Sequence, residues 1–420
     1  MQVITRLFKV AAPVVLFLIF ITACEDPGGV GSDFLDSEGK LETRTLPVQS
    51  LDPVQSSAYS GNLSFMALGE VDDPLFGRYR SVGLIKPAID TTSIGSDVTG
   101  EIPFQLRLVF SGAVYGDTLT SATFEIYRAE DVWRGNELKF EESQPFDSAE
   151  KVGEFTVNQN ETVEVDLSQT WREEFEAYLS NQEVDRDSTY REEFPGLAIV
   201  PADGTEKMLF AVMQSSSSDA DNLDQTRFVR TPPEDSGEEE EDEDPRQFLP
   251  PLDWGYVGER DPAGQADPES IHLLSTLHSF GELETGLTSE EVENRNLVHV
   301  QLVVNVNRQS LEANLPDHFN RPAVNQLQLH RVNSDRVGDW IFSRQPDFVA
   351  LYDEETDSYR FNITSHVRDL LYDAPRPGTF YMTAQSMNGV LFTIPLYNDQ
   401  ASDDDRRPRI VITSVNSDES

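Results

Sequence analysis

Pro195-Gly-Leu-Ala-Ile-Val200 with Met208-Leu-Phe-Ala-Val212 recurs, in register and without a gap, as Pro377-Gly-Thr-Phe-Tyr-Met382 with Val390-Leu-Phe-Thr-Ile394. In each copy a Pro-Gly turn signal opens two short apolar runs rich in β-branched and aromatic residues, which predicts a pair of strands. Working upstream, Val163-Glu-Val-Asp-Leu167 and Tyr359-Arg-Phe-Asn-Ile363 both alternate with period two and predict a further strand in each copy. Ser168 and Thr364 then open helices, with Trp171, Phe175, Tyr178 and Leu179 on the inner face of one and Val367, Leu370 and Leu371 on that of the other. Further back, Phe124-Glu-Ile-Tyr-Arg128 leads to Trp133 just as Leu327-Gln-Leu-His-Arg331 leads to Trp340, and alternating runs precede both at Phe104–Phe110 and Val298–Val304. A repeat of this length means duplicated domains rather than a solenoid. The predicted fold is mostly β: two tandem antiparallel β-sandwich, jelly-roll-like domains, each with a short crossing helix.

The boundaries follow from where the strand pattern starts and stops. Residues 1–23 read as a signal peptide, 24–55 as a tether, 56–230 as the first sandwich, 269–415 as the second and 416–420 as a polar tail. Between the sandwiches, 231–268 is rich in proline and carries the unbroken acidic run Glu238–Asp244, so it is expected to be a disordered linker or long surface loop.

Cys24 is the only cysteine among 420 residues. It closes Ile21-Thr22-Ala23-Cys24 at the end of an apolar run preceded by Arg6 and Lys9, the arrangement of a lipoprotein signal whose small residues admit a peptidase to the bond before a diacylated thiol. The run is short for a comfortable membrane span. The expectation is a chain lipidated at Cys24, held to the outer membrane or cell surface through lipid, outside the cytoplasm.

The 75 acidic residues against 32 basic ones give a formal net charge of −43, with only six lysines. A nucleic acid would be repelled by such a surface. Counterions in concentrated salt would screen its self-repulsion, so the composition fits adaptation to salt.

Candidate chemistry is thin. The six histidines (272, 278, 299, 318, 330 and 366) form no His-Glu-x-x-His spacing, and the sole thiol is assigned to lipid, so no zinc site is expected. No Gly-x-Ser-x-Gly elbow or phosphate-binding glycine loop is present. Calcium is the one cofactor for which ligands exist: Asp219, Asp221 and Asp224 cluster in one acidic stretch, with Asp403-Asp404-Asp405 a second, although neither follows the twelve-residue loop with its central glycine. For glycan contact the candidates are aromatic. Trp254 and Tyr256 fall in the acidic linker and read as an exposed pair, while Trp133 and Trp340 hold equivalent places in the two copies and suit either a core plug or a rim platform.

The strand, Trp, helix and Pro-Gly order, closed by Arg407-Pro-Arg-Ile-Val-Ile-Thr413, resembles jelly-roll modules of the DNRLRE type, which are similar to carbohydrate-binding modules. Cys24 followed by Gly31-Ser-Asp-Phe-Leu35 and by Gly69-Glu-Val-Asp-Asp-Pro-Leu-Phe-Gly77 resembles a family of Gram-negative surface lipoproteins of unassigned activity with a "DPxFG" turn after the lipid cysteine. Neither resemblance transfers a catalytic residue. With Cys24, the duplicated strand pattern and the lack of catalytic spacing, the expectation is a lipid-anchored, non-catalytic envelope protein for binding, adhesion or architecture, with a glycan or envelope protein as partner. The alternative is a polysaccharide-processing accessory protein or hydrolase. Asp73-Pro74 and Gly77 also read directly as a turn with Phe76 packed inward.

Overall fold

The computed structural model describes residues 40–55, 59–89, 104–141, 146–181, 183, 185–214, 222–231, 246–263, 267–275, 279–292, 296–331, 345–371, 378–384 and 389–416. Among these residues the chain is mostly strand, in two curled antiparallel sheets of twelve and eleven strands, each wrapped sandwich-like around its own apolar core.

The duplication extends to strand order. One sheet runs Lys207–Val212, Phe65–Asp73, Gly77–Pro87, Leu197–Pro201, Ala122–Ala129, Phe146–Val157. The other runs Thr393–Tyr397, Ser270–Leu274, Ser279–Glu284, Thr379–Ala384, Gln326–Arg331, Phe348–Asp353, the same succession of elements. The crossing helices are also equivalent. Gln169–Ser180 begins at Ser168, whose side chain accepts from Trp171 N, and buries Trp171, Phe175 and Leu179; Thr364–Leu371 buries His366 and Val367, while Leu370 is half-buried.

The second copy departs from the sequence reading after its Pro-Gly strand. In the second, strand pairing resumes only at Thr393, and Val390 and Leu391 instead pack into the core of the first sheet.

Neither sandwich is closed by its own leading strands. Lys40–Pro47 pairs with Arg409–Asn416, and Ser50–Gln55 pairs with Ser279–Glu284, so the segment expected to be a tether supplies two strands to the second sheet. Gln247–Leu249 pairs with Arg227–Arg230, and Pro251–Asp261 pairs with Arg78–Pro87, so much of the expected linker is built into the first sheet. Both placements share a cause. A closing strand needs only a free edge, and its partner is remote in sequence, so local composition says little about it. The run Glu238–Asp244, like the signal peptide and Cys24, lies outside the described residues.

Gly77 shows why the first closing strand fits. Its φ of +91° is open to glycine, and a Cβ there would lie 2.2 Å from the Asp261 carbonyl oxygen. The backbone of the Asp73–Gly77 turn and that of the closing strand therefore approach as only glycine permits.

Candidate functional site at the domain junction

The Asp73-Pro-Leu-Phe-Gly77 turn joins strands Phe65–Asp73 and Gly77–Pro87, and it points into the second domain. Asp73 Oδ1 accepts from the amides of Leu75 (2.8 Å) and Phe76 (3.0 Å), which sets the turn. Arg321, from the second domain, closes a two-pronged pair on the same carboxylate, with Nη2 to Oδ1 at 2.8 Å and Nε to Oδ2 at 2.7 Å. Tyr115 donates to Oδ2 at 2.6 Å and lies 3.1 Å from the Thr393 hydroxyl. The Asp73 side chain has 0% exposure and that of Arg321 6%.

Aromatic rings complete the enclosure. The Arg321 guanidinium lies 5.3 Å from the Phe76 ring and 5.6 Å from the Phe319 ring, both favourable cation–π placements. Phe76 meets His272 edge-on at 4.9 Å, and Tyr115 meets Phe319 at 6.0 Å. The turn expected to bury Phe76 does so completely, against the chain's own second domain.

A strand crosses the junction beside this pair. Phe319 and Asn320 add to the first sheet opposite Asp117 and Gly116. Thr118 donates to the His318 carbonyl through its amide at 3.0 Å and its hydroxyl at 2.9 Å, and Asn320 Nδ2 reaches Val114 O at 2.5 Å. The first sheet thus holds backbone of the second domain.

Burial alone would raise the Asp73 carboxyl, but donation and charge from Arg321, with the Tyr115 hydroxyl and the Phe76 amide, outweigh it and hold the group below its usual range. Burial and the neighbouring Asp73 charge push Tyr115 well up. Burial, aided by Arg260, pushes His272 down to about 4, and its Nε2 has no hydrogen-bond partner among the described residues. Asp73 accepts five hydrogen bonds, leaving little lone-pair capacity for proton transfer. The arrangement suits a lock rather than a general base.

The expected aromatic contacts lie elsewhere. Trp254 and Tyr256 are not an exposed loop pair: both lie in strand Pro251–Asp261, at 7% and 1% exposure, because the strand alternates its side chains into the core. The Trp254 indole donates to Leu63 O at 2.6 Å. Trp133 is a plug at 5% exposure, donating to Pro195 O at 2.8 Å over Leu84, Ala198, Val200 and Val257, so of its two readings the packing one fits. Trp340, Asp219 and Asp221 lie outside the described residues, and Asp224 is exposed in a single turn of helix. Among the described residues no three His, Cys, Asp or Glu side chains converge as a metal site.

Sequence reasoning missed Arg321 and Lys86. Lys86 is 1% exposed beneath Trp133, 5.6 Å from its ring and 3.4 Å from its carbonyl oxygen. Burial pushes its amine down to about 8 against the pull of Asp253. An alternating strand gave no sign that this lysine faces inward.

No protein-family model matches the chain, and no curated protein sequence matches it significantly.

Proposed function

We propose that the protein is a lipid-anchored, non-catalytic envelope component for binding, adhesion or architecture, attached through Cys24 and presenting two coupled β-sandwiches outside the cytoplasm. The observation that carries this reading is the junction. Its buried carboxylate, Asp73, is saturated with donors and spent on joining the domains. Two domains joined by a buried ion pair and a shared strand, on a lipid tether, suit a scaffold better than a machine that must open around a substrate. A neutral glycan or an envelope protein fits the partner class, since the acidic surface disfavours polyanions, and that acidity is the feature expected of a protein working in salt.

The test joins location and activity. Cys24→Ala should move the protein from the membrane fraction to the soluble fraction, or leave it unprocessed, with unchanged circular dichroism. The purified chain from Glu25 should be retained by insoluble glycan or envelope preparations without turning over model glycosides or esters. Turnover abolished by a single carboxylate substitution would favour the hydrolase reading instead.

A further inference from the structure

The two halves of the chain share one plan, an arm of two strands followed by a body, and the arms are crossed. Arm 247–261 precedes the second body in sequence but closes the first sheet; arm 40–55 precedes the first body but closes the second sheet. From this crossing we propose that arm 40–55 is exchangeable, and that the slot it fills on the second domain accepts the same arm from a second copy of the chain.

The two arms are not equally rooted. Arm 247–261 buries Leu249, Trp254, Tyr256 and Val257, and its indole is hydrogen-bonded inside the first domain. Arm 40–55 inserts only Leu46, Val48 and Leu51, while residues 41–45 are exposed throughout. It is held mainly by backbone: eight residues register with Arg409–Asn416 from Lys40↔Asn416 to Pro47↔Arg409, and six with Ser279–Glu284 from Ser50↔Glu284 to Gln55↔Ser279. The Leu51 amide adds a bond to Asp399 Oδ1 at 3.0 Å and the Gln49 amide one to Glu284 O at 2.9 Å.

A ladder with few buried side chains opens at lower free-energy cost than a core strand. The departing arm leaves two edges, Arg409–Asn416 and Ser279–Glu284, whose bare backbone templates strand addition. An identical arm restores every bond lost, so exchange between copies is nearly neutral in contacts and is governed by concentration. Confinement on a surface would raise that concentration, but the proposal does not depend on anchoring or on the partner class inferred above.

Thr43 and Thr413 face each other across the slot and are solvent-accessible. In the chain from Glu25 to Ser420, which lacks any cysteine, Thr43→Cys and Thr413→Cys can be introduced on separate molecules. The two proteins are mixed at high concentration, warmed below the unfolding transition and oxidised. The expected result is an inter-chain disulfide at least about tenfold above that from a control mixture of Thr43→Cys with Ser121→Cys, an exposed site just before strand Ala122–Ala129 of the first sheet. A closed dimer or a ladder of larger species both carry the exchanged arm and support the proposal. No excess over the control overturns it. So does failure of the Thr43→Cys/Thr413→Cys double variant to form the bond within one chain, which would remove the slot itself.

Discussion

Arg321→Met should lower the unfolding free energy by about 3–5 kcal/mol, because it strands the buried Asp73 carboxylate without its counter-charge. The methionine can keep much of the packing against Phe76 and Phe319, so the loss reads chiefly the uncompensated charge. Asp73→Asn added to that background should recover a large part of the loss, since a neutral amide oxygen still accepts from Leu75 and Phe76 and no ion remains to be desolvated. Urea denaturation of the wild type, both single variants and the double variant gives the coupling energy, expected at about 2–3 kcal/mol. Additive single effects, or a cost for Arg321→Met below about 1 kcal/mol, would show that the domains are held by something else.

Acid should weaken the same junction in two stages. His272 has its proton affinity depressed by burial, from an ordinary value of 6.5 to about 4. Below pH 6.5 the unfolded chain takes up this proton and the folded chain does not, so stability falls as pH drops from 6.5 to about 4, by up to about 3 kcal/mol. Asp73 acts lower on the scale. Its depressed affinity contributes stability that is present above the ordinary carboxylate range and is lost as pH falls through its folded value. His272→Phe keeps an edge-on ring against Phe76 and removes the titrating group, so the unfolding free energy should become flatter between pH 6.5 and 4 while the steeper loss at lower pH persists. Parallel pH profiles for variant and wild type would exclude His272 as the source of the upper stage.

The duplication was legible because each copy carries its own local signals. Pro195-Gly196 and Pro377-Gly378 mark turns, and Ser168 and Thr364 mark helix starts, independently of the rest of the chain. What was lost is what depends on remote partners. Trp254-Gly-Tyr256 follows an acidic run and reads as loop, yet its glycines mark a strand under close approach: a Cβ on Gly255 would lie 2.8 Å from Gly61 Cα, and one on Gly258 would lie 2.1 Å from Arg80 O. The polar, charge-bearing stretch 41–45 reads as tether because its strand lies at a sheet edge with both faces wet. The Asp73 turn was visible as a turn, but its partner was not. Arg321 lies 248 residues away and is an ordinary arginine in the sequence.

The central claim is that crossed arms and a buried ion pair make one unit of two sandwiches, and calorimetry tests it most directly. Unfolding the second domain releases arm 40–55 and the Phe319–Asn320 strand together, and unfolding the first removes the sheet edge on which that strand is paired. The chain from Glu25 to Ser420 should show a single thermal transition, with calorimetric and van't Hoff enthalpies equal within error. Two resolved transitions, or a calorimetric enthalpy about twice the van't Hoff value, would contradict it.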